Sequence, residues 1–386
     1  MLIINVKIFT MENQSVENGF IEIKNGKIES LGEMNALKLK DEKTIDLHGK
    51  SVYPGFVDAH THLGMFENGL TFEGDDGNEE NDPITPHLRA IDAANPMDEC
   101  FKDAYKSGVT TVLTGPGSAN AIGGEIIAVK TYGKRIDDMV IKSPVAMKFA
   151  LGENPKSVYS DKEQMPMTRM ATAALIREQL YKAKKYYLSK IRAKKNKSID
   201  DVPEFDLKCE ALIPLFEKKA LAHFHAHRAD DIFTAMRICK EFDLDYVIVH
   251  ATEAHLIKEE LKKENARVLL GPNFSDKSKP ELINLSIKSP KILSPDILFG
   301  IITDHPETPI QYLRLCAALA VKGGLSREEA LRAITINAAK VCKIDEKVGS
   351  IKVGKDADLA VFSTDPLDIL SEPEMVFIDG NLIYAK

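Results

Sequence analysis

The stretch Gly55-Phe56-Val57-Asp58-Ala59-His60-Thr61-His62 decides how the rest of the chain is read. It opens as a short apolar run of the kind that makes a buried strand, and it ends on two histidines spaced two apart. In an extended strand, residues two apart point to the same face, so His60 and His62 can grip one metal ion together. Imidazole is a good ligand for zinc, iron and nickel, but a metal site needs several such groups converging from distant parts of the chain. A lone His-x-His is ordinarily a pair of surface or satisfied core histidines. Here His223/His225/His227, His250/His255 and Asp304-His305 each follow or end another apolar run. Four segments thus hold eight of the ten histidines at strand-end positions, and one of them brings an aspartate.

Between residues 54 and 345, β-type runs alternate with helical patterns, which implies a parallel sheet with crossover helices. Eight runs qualify as strands: Gly55–His60, Thr110–Thr114, Glu125–Val129, Val145–Ala150, Ala220–His225, Tyr246–His250, Arg267–Gly271 and Leu298–Asp304. Eight parallel strands predict an α/β fold, a distorted (β/α)8 TIM-type barrel with its active site at the strand C-terminal ends. The histidines and Asp304 fall at those ends. Glu125–Val129 has the weakest strand signal of the eight.

The two chain ends share a different texture. Ile3-Ile4-Asn5-Val6, Phe20-Ile21-Glu22-Ile23 and the turn Asn25-Gly26 at one end match Asp358-Leu359-Ala360-Val361-Phe362, Met375-Val376-Phe377-Ile378 and the turn Asp379-Gly380 at the other. Each end is too small to bury a core alone, so residues 1–53 and 346–386 are expected to form one composite β domain beside a barrel of residues 54–345. At 386 residues, one large barrel plus one small domain fits the length.

Composition excludes several classes. The chain is 44% hydrophobic and 28% charged, with a net charge of −7, which argues against general nucleic-acid or anionic-membrane binding. No stretch approaches the ~20 apolar residues of a membrane helix. The start, Met1-Leu2-Ile3-Ile4-Asn5-Val6-Lys7, reads as a strand and not as a signal peptide. Five scattered cysteines with no C-x-x-C pair suit reduced thiols in the cytoplasm. The expected partners are a small-molecule substrate and, in a homo-oligomer, further copies of the chain; nucleic acid and membrane are not expected.

Two insertions interrupt the barrel pattern. Residues 64–96, rich in Gly, Asp, Asn, Glu and Pro, are expected to loop over the site. Residues 161–219 carry a helical stretch, Met170 to Lys195, whose lysines read as a solvated face.

Two motifs carry a family resemblance. Leu47-His48-Gly49-Lys50-Ser51-Val52-Tyr53-Pro54-Gly55-Phe56-Val57-Asp58-Ala59-His60-Thr61-His62 resembles the strand-one signature of the amidohydrolase superfamily. Gly349-Ser350-Ile351-Lys352-Val353-Gly354-Lys355-Asp356-Ala357-Asp358-Leu359 resembles its C-terminal β-domain signature. Ala226-His227-Arg228-Ala229-Asp230-Asp231 and Ile302-Thr303-Asp304-His305-Pro306 look like the imidazolonepropionase-related, prolidase-like branch. The resemblance implies that His60 and His62 hold the more buried metal, that His250 is the strand-six ligand, and that Asp304 is the strand-eight aspartate. On strand five it favours His225 among His223, His225 and His227. His255, five residues beyond His250, reads as structural.

Lys148, in the apolar run Ala146-Met147-Lys148-Phe149-Ala150, would be costly to bury as an unpaired charge. Many superfamily members have a strand-four lysine that reacts with carbon dioxide, and the carbamate bridges two metals. Burial near cations depresses a lysine pKa and frees the nucleophilic amine, so Lys148 is expected to be carboxylated. The alternative is an amine paired with a carboxylate at the barrel rim. Glu153 is a further group that could reach a metal. The resemblance implies two divalent ions, zinc foremost, with iron or manganese also compatible.

The expected activity is hydrolysis of a C–N bond in an amide, cyclic amide or N-acyl compound by metal-activated hydroxide, with Asp304 as proton shuttle. Substrate selection is expected from His87, Arg89, Arg169, His227 and Arg228, where an arginine could clamp a carboxylate with two hydrogen bonds. A deaminase on the same scaffold is the alternative, against which Lys148 argues. A non-catalytic barrel scaffold is a third reading, disfavoured because every expected ligand position carries a competent residue.

Overall fold

Two eight-stranded sheets organise the chain in the computed structural model, which describes residues 1–12, 14–37, 43–69, 71–197 and 202–386. The first sheet takes strands from both ends. From the N-terminal end come β1 (Leu2–Ile8), β2 (Val16–Lys24), β3 (Lys27–Glu33), β4 (Thr44–Asp46) and β5 (Ser51–Pro54). The second sheet holds β6 (Phe56–Thr61), β7 (Val109–Thr114), β8 (Ile122–Lys130), β9 (Val140–Ala150), β10 (Leu221–Ala226), β11 (Tyr246–His250), β12 (Val268–Leu270) and β13 (Phe299–Ile301). From the C-terminal end, β14 (Leu359–Phe362), β15 (Met375–Ile378) and β16 (Asn381–Ala385) return to the first sheet, where β14 pairs antiparallel with β5. Its buried face packs Ile3, Val6, Ile21 and Val52 with Leu359, Val361 and Phe377 in one apolar cluster.

The second sheet runs in chain order from β6 to β13 and is a near-closed barrel. Among the described residues, no strand ladder joins the two edges. Instead His62 N donates to His305 O at 2.9 Å, and Thr303 N and Oγ1 donate to Asp58 Oδ2 at 3.1 and 2.6 Å. Asp58 is fully buried, and burial pushes its carboxyl up to about 7. Val57, Leu113, Ile126, Ala146, Leu221, Val247 and Leu269 line the inside toward the strand starts, where Ala338, Ala339 and Val341 of the helix Ile336–Val341 pack against them.

One expectation is corrected here. The third barrel strand, β8, is antiparallel to both β7 and β9, so the barrel is not the all-parallel (β/α)8 of the sequence reading. The reason is connection length. Residues 115–121 and 131–139 are too few for the crossovers that parallel strands require, whereas antiparallel neighbours need only short turns. The last strand is also shorter than expected: it ends at Ile301, so Asp304 sits in the turn beyond it.

The insertions build the rim. The predicted helix is Arg169–Asn196, capped by Thr168, whose hydroxyl accepts from Ala171 N. It packs on the helix Leu207–Phe216, and its Lys182 and Lys190 pair with Asp206 and Glu210, so part of its charge is spent within the protein. Among the described residues, no helix is long and apolar enough to cross a membrane.

Candidate functional site

The strand alternation that buries Leu221 also turns His223 and His225 inward, and the same alternation on β9 turns Lys148 inward opposite His223. The site forms where these inward residues reach the strand ends. Asp304 Oδ1 lies 3.2 Å from His60 Nε2 and 3.3 Å from His62 Nε2, and Asp304 Oδ2 lies 4.0 Å from His250 Nδ1. Lys148 Nζ lies 3.1 Å from His60 Nε2. The His225 and His250 rings are 4.5 Å apart, and the His60 and His250 rings 5.5 Å apart. The structure thus brings His60, His62, Lys148, His225, His250 and Asp304 together at one mouth of the barrel.

The backbone bends sharply to do this. His250, Ala251 and Asp304 have φ of 69°, 47° and 55°, a region that costs a non-glycine residue ~1–3 kcal/mol. Gly271 has φ of 138°, and a Cβ there would lie 2.4 Å from Ile302 O. Only glycine fits, and its own carbonyl sits 2.8 Å from His250 Nδ1.

Three further imidazoles are pinned in the same manner. His62 Nδ1 is 2.7 Å from Gly115 O, His225 Nδ1 is 2.9 Å from Ser118 Oγ, and His227 Nδ1 is 2.7 Å from Thr252 Oγ1. A fixed Nδ1 sets the ring orientation and leaves Nε2 available as a ligand. Burial, reinforced by the neighbouring cationic groups, holds His225 and His227 well below the usual imidazole value, and burial holds His250 at about 4. These rings are therefore neutral at pH 7 and keep their lone pairs.

Asp304 is the charged counterpart. Burial opposes its charge, but the surrounding imidazoles of His250, His60 and His62 outweigh it and hold the carboxyl well below the usual range. Lys148 is fully buried; burial lowers it to about 8, with Asp304 acting in the opposite direction. Among the described residues, no carboxylate lies within ion-pairing distance of its amine, so the rim-paired lysine of the alternative reading is not what the fold contains.

Two groups of ligand atoms lie close enough to hold an ion: His60, His250 and Asp304, and His225, His227 and His250. The buried His225 Nε2 and Asp304 Oδ1 have no hydrogen-bond partner, which a divalent cation would satisfy. The donor set of imidazoles and a carboxylate suits zinc, iron or manganese.

A cavity of about 740 Å³ opens over these groups, bounded by Phe66, Asn78 and Glu80 of the first insertion, Ser118, and the loops carrying Glu153 and Lys279. His227 lines it. The other expected substrate residues do not. His87 and Arg89 line a separate cavity, and Arg89 is bound to Asp92. Arg169 binds the buried Asp231, and Arg228 binds Asp230. These arginines follow their nearest carboxylates, a competition the sequence does not display. Glu153 lines the cavity but belongs to neither ligand group, His255 sits on the 3-10 turn Ala254–Leu256 outside it, and His223 is a core residue held at about 3 by burial.

Sequence reasoning missed Ser118, Thr252, Lys279 and Glu281. Lys279 is the one lysine or arginine lining the cavity among the described residues, and its Nζ donates to Asn154 Oδ1 at 2.6 Å. Glu281 is buried near His227. Ser118, Thr252 and Lys279 come from loops and Glu281 from the 3-10 turn Pro280–Leu282, where no periodic signal marks a functional side chain.

Comparison with known proteins identifies the family. Residues 210–383 match the model of the amidohydrolase family. Amidohydrolase tasK of Hapsidospora irregularis is 30% identical over 88% of this chain, which spans 37% of that longer protein. Imidazolonepropionase of Treponema denticola is 25% identical, over 95% of this chain and 92% of that one. The crystal structure of an amidohydrolase from Thermotoga maritima is 39% identical and superposes with a TM-score of 0.95 over the whole of both chains. With sequence and fold shared from end to end, this chain belongs to the amidohydrolase family and is an enzyme that acts on C–N bonds.

Proposed function

We propose that the chain is a metal-dependent hydrolase that opens an amide, cyclic amide or N-acyl C–N bond of a small molecule. The observation that supports this most is the meeting of His60, His62, Lys148, His225, His250 and Asp304 around two unpartnered buried donor atoms. In this reading His60, His62 and Asp304 would hold a more buried ion, and His225 and His250 an outer one. Lys148 would supply a further ligand once its neutral amine has added to carbon dioxide and lost a proton, giving a carbamate with two oxygens. Zinc, iron or manganese bound there would lower the pKa of water from ~15.7 to about 7 and polarise the substrate carbonyl.

The chain's own residues then handle the proton. Asp304 is ionised and lies at the cavity floor, so it takes a proton from the attacking water as the new C–O bond forms. It returns that proton to the nitrogen as the C–N bond breaks, and both acid and base steps use one carboxylate. Asp58, through Thr303, fixes the turn that carries Asp304. The cavity walls limit the substrate to a small molecule, and Lys279 offers the cation for a substrate carboxylate.

Purified protein, loaded with zinc or manganese and compared with chelator-treated protein, should be screened against N-acyl amino acids, dipeptides and cyclic amides. Metal-dependent release of an amine is the expected result. Turnover unaffected by metal removal would refute the reading.

A further inference from the structure

We propose that His227 is itself a metal ligand, so that the outer ion is held by three imidazoles, His225, His227 and His250. This rests on the metal-centre reading above and extends it, because the strand-end pattern supplies His225 and His250 but leaves His227 as a wall of the substrate cavity.

Proximity is the first support. The ligand atoms of these three histidines lie within 4.8 Å of one another, and all three residues are buried. His227 is 4.7 Å from His225 and 4.6 Å from His250, ring centre to ring centre. A residue whose only task is substrate recognition has no reason to stand this close to both.

The second support is how the ring is held. His227 Nδ1 is pinned 2.7 Å from Thr252 Oγ1, as His225 Nδ1 is pinned by Ser118 and His250 Nδ1 by Gly271. Metal-binding histidines characteristically use their second nitrogen this way. His223, two residues before His225 on the same strand, has neither nitrogen partnered and joins no ligand group. The pinning is therefore a property of the site and not of the strand.

A buried charge is the third. Glu281 is 2% exposed, its Oε1 has no hydrogen-bond partner, and that oxygen lies 3.7 Å from His227 Nε2. An unsatisfied buried carboxylate oxygen is costly, and a cation at His227 Nε2 would offset that cost. The fold is shaped around this carboxylate: Glu281 Oε2 accepts from Glu153 N at 3.1 Å, and a Cβ on Gly152, at φ of 83°, would lie 2.8 Å from the same oxygen.

The test reads the metal directly. Wild type, His227→Ala and Thr252→Val would be stripped, reloaded with Co²⁺ or Zn²⁺, and compared by elemental analysis, chelator competition and the Co²⁺ visible spectrum. His227→Ala should lose one ion per chain or bind it at least tenfold more weakly, with an altered Co²⁺ spectrum. Thr252→Val keeps the imidazole and should weaken the same ion by ~10–100-fold, which decides the matter if His227→Ala does not fold. Wild-type ion content, affinity and spectrum in both variants would overturn the inference while leaving the metal-centre reading intact. A wild type that binds no ion would overturn both.

Discussion

Lys148 Nζ stands 3.1 Å from His60 Nε2 at the centre of the barrel, with both residues sealed from solvent. An ammonium ion there would face an imidazole and a distant carboxylate with no direct counter-ion, so the neutral or carbamylated amine is the form that suits the site. Lys148→Ala should lose at least one bound ion per chain, measured by elemental analysis of protein prepared with bicarbonate. If wild type holds one ion and the variant holds the same one, Lys148 bridges nothing and the centre is mononuclear.

Asp304→Asn should keep most of its metal and lose on the order of 10²-fold or more in kcat, with KM little changed. Asparagine retains the size and one ligating oxygen but cannot receive a proton. Steady-state kinetics on a substrate found in the screen, together with metal content, check this. Near wild-type turnover would reduce Asp304 to a ligand or a turn residue.

Lys279→Met should raise KM for carboxylate-bearing substrates by ~10–100-fold, the range expected for a lost hydrogen bond to a charged group. Matched pairs of N-acyl amino acids and their neutral amides provide the measurement, since only the acid member should suffer. Arg228→Met serves as the control: Arg228 is tied to Asp230 outside the cavity and should change neither. Equal losses on acid and amide would remove Lys279 from specificity.

The two chain ends are proposed to act as one unit clamped to the barrel. Lys130, at the end of β8, is 6% exposed along its side chain and pairs with Asp358, Asp356 and Asp379 of the C-terminal segment. Removing one partner of a buried ion pair leaves an uncompensated charge and costs ~3–5 kcal/mol. Lys130→Met should lower unfolding stability by that amount in urea titration. Deleting residues 346–386 should expose the apolar face of β1, β2 and β5 and cause aggregation; a soluble, monodisperse truncation with its metal would contradict the proposal.

What the sequence determined by itself is local and periodic. Apolar runs of strand length, ending in His60-Thr61-His62, His225 and His250, foretold strands with polar ends, because side-chain direction in a strand follows from spacing alone. The two matching β-rich ends, each too short for a core, pointed to one shared sheet. The family was likewise legible, since its signatures are contiguous. The tertiary structure decided what spacing cannot carry. It turned β8 antiparallel, because short connections forbid a crossover on either side. It took Arg89, Arg169 and Arg228 to nearby acids and left Lys279 in the cavity, since charges pair by distance in space. It set Ser118, Thr252 and Gly271 behind the histidine rings and Glu281 beside His227. Those contacts join residues separated by 21 to 107 positions or, between Glu281 and His227, by two barrel loops. Only the closure of the barrel brings them within hydrogen-bonding reach, and that closure is a property of all eight strands at once.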